Sequence, residues 1–275
     1  MASRSFTGNP SQVIVEQLAA SGINHLFYNS GSREARFFDA LHSRAGIDGI
    51  LGLHEGAVAA MAGGFAQVNS QPAVMSVHLG AGLAQSMGQM INVWAAGLPV
   101  VTITFVGDTG SYADRITLDL SHNAGPTSIM APLMKANWTV IDPNGVAAAV
   151  DRAIKVATTP PIGPVHIAVY DRILGPEQIT TQIIEGPPAR PRAGYPDDRD
   201  VEELARVLHD AERPMIYVGD GVNKSGGERQ LAKIAEHFGA NVASMWGDLR
   251  GVSAAHPLPC GYFRQPVIDL DPDHI

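Results

Sequence analysis

The chain has 275 residues, of which 45% are hydrophobic and 17% are charged, and its formal net charge is −8. These values are typical of a globular protein, and the length suits one large domain or two ordinary ones. The negative charge argues against a nucleic-acid partner or an anionic membrane surface, because both would repel the chain. The single cysteine, Cys260, excludes an intrachain disulfide framework and a cysteine-based zinc site. Without a signal-like segment at its start or an apolar run long enough to cross a bilayer, we expect a soluble cytoplasmic protein.

Strand and helix patterns alternate along the first part of the chain. The predicted strands are short apolar runs at 24–28, 49–53, 73–78, 99–106, 138–141 and 164–170. The predicted helices have apolar residues at helical spacing and lie near 34–42, 55–66, 83–94 and 146–157. Such alternation predicts an α/β fold, with a parallel sheet covered by helices on both faces.

A segment rich in proline and glycine, 172–198, interrupts this alternation and is predicted to be a linker. Beyond it, helical and strand patterns resume over 199–275. They provide too few strand–helix pairs to complete a sheet comfortably. We therefore predict a complete α/β domain over 1–171 and only part of a second α/β domain over 199–275.

Glu55 lies where a predicted strand ends and a predicted helix begins. In parallel α/β folds ligands bind at that edge of the sheet. Neighbouring Leu51, Leu53 and Val58 predict an apolar environment, which would disfavour the charged form of the carboxylate. The alternative is a carboxylate that only stabilises the helix N-terminus, worth about 0.3–1 kcal/mol.

Three segments in order resemble the thiamine-diphosphate-dependent 2-oxo-acid enzymes. Residues 53–67, beginning Leu-His-Glu-Gly, resemble the helix of that family that carries its cofactor-activating glutamate. Residues 77–82, Val-His-Leu-Gly-Ala-Gly, resemble its glycine-rich turn, and residues 98–104 resemble its next strand, introduced by the same proline. The resemblance covers about 13–171, which corresponds to the pyrimidine-binding domain, and extends more weakly over 214–264, the start of the central domain.

The resemblance implies thiamine diphosphate as cofactor and Glu55 as the catalytic residue that hydrogen-bonds the pyrimidine ring and favours its imino tautomer. Gly80 and Gly82 would let the backbone approach that ring closely. A plain tight turn is the alternative for either glycine. In such enzymes the cofactor performs the decarboxylation chemistry, and the protein provides orientation and electrostatics.

Within the family, the pocket most resembles that of the benzoylformate decarboxylase branch. The turn Asn29-Ser30-Gly31-Ser32 resembles its Asn-Pro-Gly-Ser turn, which implies that Ser32 contacts the carboxylate of a 2-oxo acid substrate. The same resemblance makes His78 and His256 catalytic candidates for proton transfer, a task that suits an imidazole. His122, on a loop, is a further candidate for facing the substrate. The structural alternatives are a strand-end His78 satisfied by the backbone, a His256 that belongs to a widespread His-Pro pattern, and a solvated His122.

No metal site is predicted in this chain. Gly219-Asp220-Gly221 resembles the start of the family's diphosphate and metal motif, but no paired asparagines follow, so we interpret Asp220 as a turn residue. A partner chain, or another part of a longer enzyme, would then bind Mg²⁺ and the diphosphate. We therefore expect a homo-oligomer or hetero-oligomer in which the cofactor is shared.

Three alternatives to a benzoylformate decarboxylase-like pyrimidine-binding half stay open. An acetolactate synthase-like carboligase shares nearly as many motifs. A non-catalytic regulatory subunit could retain the fold, and it would be favoured if Glu55 did not face a shared interface. A nucleotide-binding domain using the turn at Gly219 is disfavoured, because the Gly-x-Gly-x-x-Gly spacing is absent.

Overall fold

The computed structural model describes residues 2–69, 71–107, 127–187, 194–244, 251–262 and 269–275. The chain divides into two compact units, 1–191 and 192–275. Each unit is described by itself below. Elements are numbered in chain order over the described residues.

The first unit alternates strands and helices. Its strands are β1 (Ser3–Gly8), β2 (His25–Tyr28), β3 (Asp48–Leu51), β4 (Ala73–Ser76), β5 (Val100–Val106), β6 (Ala136–Val140), β7 (Val165–Tyr170) and β8 (Ile179–Ile184). Its helices are α1 (Pro10–Ala20), α2 (Ala35–His42), α3 (Glu55–Asn69), α4 (Leu79–Ala95) and α5 (Val146–Thr158). A 3₁₀ turn, Ser32–Glu34, precedes α2.

Six strands form one parallel sheet in the order β3-β2-β4-β5-β7-β6. One face packs against α1, α2 and α5, and the other packs against α3 and α4. The central strand β5 is buried along its whole length, as expected for a strand covered on both sides. The predicted α/β fold with helices on both faces is confirmed.

Strand β3 differs from its prediction. We expected a buried strand at 49–53, but β3 is the edge strand of the sheet, and three of its four residues are exposed. Only β2 pairs with it, so one of its backbone edges has no neighbouring strand in the described residues. An apolar run by itself does not distinguish an edge strand from a central one.

Two strands at the ends of the first unit were not predicted. Strand β1 pairs antiparallel with β8, with Ser3 opposite Ile184 and Gly8 opposite Ile179. Strand β8 lies inside the segment predicted as a linker, so 172–198 is not a linker throughout. Ile183 of β8 is fully buried in the core beside α1, which explains why the chain is ordered there despite its flanking prolines and glycines.

The second unit contains α6 (Asp198–Asp210), β9 (Met215–Val218), α7 (Asp220–Lys224), α8 (Glu228–Phe238), β10 (Asn241–Ser244) and β11 (Pro259–Tyr262). Its three strands form a parallel sheet in the order β11-β10-β9. A small core containing Val218, Leu231, Ala235 and Val242 joins α8 to this sheet. Across both units, no helix in the described ranges is long and apolar enough to span a membrane.

Candidate active site

Three predicted site residues follow neighbouring strands of the parallel sheet. Ser32 follows β2, Glu55 follows β3 and His78 follows β4. Because the three strands are adjacent and parallel, their carboxyl ends lie at one edge of the sheet. The fold thus brings together at one edge, the usual ligand edge of open α/β sheets, residues that are widely separated along the chain.

Glu55 is the first residue of α3 and is half-buried. Its carboxylate lies beside Gly82 of α4. A Cβ added at Gly82 would come within 3.4 Å of both Cγ and Oε1 of Glu55. The amide of Gly82 donates to the carbonyl of His78 at 2.9 Å, so this backbone links the Glu55 carboxylate to the turn that carries the histidine.

The apolar surroundings expected for Glu55 are formed only in part. Val58 is fully buried, but Leu51 is 54% exposed and Leu53 is 91% exposed. Edge position explains the difference, because the chain around Leu51 and Leu53 leaves the sheet at its outermost strand. The carboxylate is therefore reachable by a ligand from this side.

His78 is held by a buried carboxylate that sequence reasoning did not identify as a site residue. Glu34, the last residue of the 3₁₀ turn, is 0% exposed, and its Oε1 and Oε2 lie 3.0 and 2.9 Å from Nδ1 of His78. Its Oε2 also accepts a hydrogen bond from the amide of Gly31 at 2.9 Å. The sequence signal was a glutamate three residues after the start of a turn, a spacing typical of helix capping.

Two backbone features constrain His78, one packed against its ring and one at the next residue of the chain. A Cβ at Gly31 would lie only 2.3 Å from Nδ1 of the histidine, so the imidazole packs directly against the Gly31 backbone. Leu79, which follows His78, has φ of +52° although it is not glycine. A left-handed conformation costs a bulky residue roughly 1–3 kcal/mol, and residues strained in this way cluster at active sites and ligand clamps.

A polar cluster of Arg33 and Asp171 borders the site at the ends of β5 and β7. Arg33 forms an ion pair with Asp171, which follows β7. The guanidinium packs on Gly107, at the end of β5, so closely that any side chain there would meet it. Neither residue was predicted as part of the site.

The other predicted residues have separate positions. His256 lies in the second unit, where its Nε2 is 2.8 Å from Oε1 of Glu236 and its Nδ1 accepts from the amide of Leu258. His122 lies outside the described residues. Gly80 is buried in the first turn of α4. Asp220 begins α7 and forms an ion pair with Lys224 at 2.8 Å.

No group of three or more histidine, cysteine, aspartate or glutamate side chains is arranged to hold a metal ion within the described residues. Glu55, His78 and Ser32 form what we call the edge cluster. It offers a half-exposed carboxylate, an imidazole bound to the carboxylate of Glu34, and a serine hydroxyl. These groups can exchange a proton with a heterocycle and bind a small anionic substrate.

Comparison with known proteins identifies the family to which this chain belongs. Residues 9–124 match the profile described as "Thiamine pyrophosphate enzyme, N-terminal TPP binding domain", and residues 201–266 match "Thiamine pyrophosphate enzyme, central domain". Together the two matches cover more than half of the chain. The chain belongs to the thiamine pyrophosphate enzymes. Its resemblance to that family is thus confirmed.

Relatives in this family include both expected branches. Benzoylformate decarboxylase from Pseudomonas aeruginosa is 30% identical over 227 residues, which cover 79% of this chain and 41% of the decarboxylase. The acetolactate synthase large subunit from Corynebacterium glutamicum is 26% identical over 253 residues, covering 91% of this chain and 40% of the synthase.

A solved structure supports the fold. The 4-hydroxybenzoylformate decarboxylase from Rhodococcus jostii superposes with a TM-score of 0.78 at 24% identity, over 92% of this chain and 47% of that one. The chain spans less than half the length of these relatives.

Proposed function

We propose that this chain is the pyrimidine-binding half of a thiamine diphosphate-dependent 2-oxo-acid decarboxylase or carboligase of the benzoylformate decarboxylase type. The single observation that carries the proposal is the common edge on which Glu55, His78 and Ser32 follow three adjacent parallel strands. The other half of the cofactor site, with Mg²⁺, would come from a partner chain or from another part of a longer enzyme.

The geometry around Glu55 fits the pyrimidine end of the cofactor. Gly82 places no side chain next to Oε1, and Leu51 and Leu53 are both more than half exposed. A flat ring could therefore lie against the start of α4 with a ring nitrogen at Oε1 of Glu55. Bound there, thiamine diphosphate would supply the thiazolium carbon that adds to the 2-oxo group. Glu55 would hold and exchange the proton of the ring nitrogen.

Ser32 and His78 would act on the substrate. Ser32 is an exposed residue at the turn after β2, and its hydroxyl can donate to the substrate carboxylate. His78 has Nδ1 bound to Glu34, so its Nε2 is the nitrogen left to accept and return a proton. The two residues are adjacent in space because Gly31, next to Ser32, packs on the imidazole.

The surface of α3 and α4 supports a shared site. The two helices pack together, and Glu55 is the only charged side chain in either of them. Their outer positions nevertheless include exposed apolar side chains, with Ile91 at 51% and Trp94 at 53%. Uncharged, partly apolar helix faces of this kind are typical of protein interfaces. Helix α3 begins at Glu55, so a partner that covers the two helices would lie near the cofactor.

An acetolactate synthase-like carboligase is the second candidate. It is favoured by the longer match to the synthase subunit, 91% of the chain against 79% for the decarboxylase. The decarboxylase type is favoured by the Glu34-bound His78, since an imidazole suits proton transfer after loss of CO₂.

The experiment combines calorimetry with turnover. Titrated with thiamine diphosphate and Mg²⁺, the chain alone is expected to bind weakly or not at all. Addition of a polypeptide that carries the diphosphate-binding domain should produce tight binding and decarboxylation of benzoylformate. Tight binding by the chain alone would contradict the shared site, and coupling of pyruvate without decarboxylation of benzoylformate would favour the synthase type.

A further inference from the structure

Glu34 is a carboxylate placed where water does not reach it. Its side chain is 0% exposed, and the hydrogen bonds that the described residues give it come from His78 and the amide of Gly31. Burying a carboxylate is costly unless hydrogen-bond donors compensate for the lost water. A residue that served only to cap α2 could make the same amide contact from a solvated position. Helix capping alone therefore does not account for the burial of Glu34, and His78 is its other hydrogen-bond partner.

Both carboxylate oxygens of Glu34 lie within hydrogen-bond distance of the same nitrogen, Nδ1 of His78. An ionised carboxylate only accepts hydrogen bonds, so Nδ1 must carry a proton for this contact to be attractive. A neutral imidazole has one proton, and its position at one nitrogen leaves the other as an acceptor. The contact thus selects one of two tautomers.

The ring has little freedom to escape this arrangement. Its Nδ1, Cγ and Cε1 would all lie within 2.4 Å of a Cβ at Gly31, so the imidazole is stacked on backbone on one side. The left-handed Leu79 fixes the direction in which the chain leaves His78. The carbonyl of His78 is bound by the amide of Gly82, beside Glu55.

We propose that Glu34 is a positioning residue that holds His78 in the Nδ1–H tautomer and thereby makes Nε2 the proton acceptor of the site. Glu34 touches neither substrate nor cofactor in this assignment and acts only through the imidazole. Its catalytic consequence rests on the function proposed above for His78. The tautomer of His78 does not depend on that function, and it can be measured in the chain without cofactor or partner.

The first test is the tautomer of His78 in the wild-type chain. Nitrogen NMR of ¹⁵N-histidine-labelled protein separates protonated from unprotonated ring nitrogens, and His78→Gln assigns the signal among the ten histidines. The spectrum is recorded at a pH of about 8, above the range in which a free imidazole titrates. A protonated Nδ1 with a free Nε2 is expected. An Nε2–H tautomer, or an imidazolium at that pH, would overturn the proposal without any variant having to fold.

The second test compares Glu34→Gln with Glu16→Gln. The amide keeps the size of Glu34 but can donate to Nδ1 as well as accept from it, so a mixture of tautomers is expected in the NMR spectrum. Glu16 is a matched control, because it is also a buried glutamate, 8% exposed, but is bound by Arg4 and Arg44 outside the edge cluster. Its replacement should leave the His78 signal unchanged.

In the assembled enzyme, Glu34→Gln should lower kcat by roughly 10- to 1000-fold, while KM changes little. Loss of an acid–base group itself lowers the rate by about 10²–10⁴-fold, and Glu34 acts only through such a group. Glu34→Asp keeps the carboxylate and should restore part of the lost kcat. An altered tautomer with unchanged kcat would refute the function proposed for His78 and leave the positioning intact. An unaltered tautomer in Glu34→Gln would refute the positioning itself.

Discussion

Acidification should destabilise the first unit through one buried histidine, His166. It lies in β7 with no exposed surface, and its Nε2 is 2.8 Å from Oγ1 of Thr104 on the neighbouring strand. Its Nδ1 has no hydrogen-bond partner within the described residues. A proton added to this ring would place a charge in the sheet with little compensation, and burial accordingly lowers the pKa of His166 to about 4.

The expected magnitude follows from the difference between the folded and unfolded chains. The unfolded chain binds the proton of residue 166 below a pH of about 6.5, whereas the folded chain binds it only near pH 4. A gap of about 2.5 pH units at about 1.4 kcal/mol each corresponds to about 3.5 kcal/mol, of which about 3 kcal/mol is lost by the time the pH reaches 4. The unfolded state binds more protons in this window, so the free energy of unfolding falls as the pH falls from about 6.5 to 4.

The assay is urea unfolding at several pH values across this window, for the wild type and for His166→Gln. Both proteins carry Trp246→Phe, so that the remaining fluorescence, from Trp94 and Trp138, reports on the first unit. Other titrating groups, such as Asp151, whose pKa is raised by burial, are present in both proteins and cancel in the difference. The wild type should lose about 3 kcal/mol more than the variant across the window. Parallel pH profiles for wild type and His166→Gln would refute the reasoning.

Three further predictions concern the edge cluster in the assembled enzyme. His78→Ala should lower kcat by roughly 10²–10⁴-fold with cofactor affinity nearly unchanged; if it mainly unfolds the chain, measured by circular dichroism, the histidine is structural. Ser32→Ala should remove one hydrogen bond to a charged substrate group, worth about 1.5–3 kcal/mol, and raise KM by roughly 10- to 100-fold, with an unchanged KM as the contrary result. Gly82→Val should weaken cofactor binding in calorimetry, because its side chain would displace the Glu55 carboxylate that lies 3.4 Å from the Cβ position; wild-type affinity would contradict the placement of the pyrimidine.

Local sequence patterns were sufficient to predict most strands of the parallel sheet. Strands β5 and β7 are apolar because they are buried, and helix α3 has apolar residues at helical spacing. The polar strand β1 was not predictable in this way, because its partner β8 is far away along the chain. Pairing at such separation depends on the completed fold and not on the local sequence. For the same reason, β3 could not be recognised as an edge strand.

The positions of the candidate site residues were predictable where these residues directly follow strands. Glu55 and His78 lie within short motifs next to β3 and β4, so their common edge follows from the parallel arrangement. The partnership of His78 with Glu34 joins residues 44 positions apart, and it exists because β2 and β4 are neighbours in the sheet. The exposure of Leu53 likewise depends on which strand lies at the edge.

The proposed function requires that the carboxylate of Glu55 exchange a proton with the pyrimidine ring. The most direct measurement is hydrogen–deuterium exchange at the thiazolium carbon of thiamine diphosphate in the assembled enzyme, wild type against Glu55→Gln. The amide keeps the size of the side chain but cannot exchange that proton. Assembly and folding should be nearly normal, which calorimetry and circular dichroism would verify, and exchange should slow by several orders of magnitude. Equal exchange rates in the two proteins would contradict the claim and leave Glu55 as a carboxylate that only stabilises the start of α3.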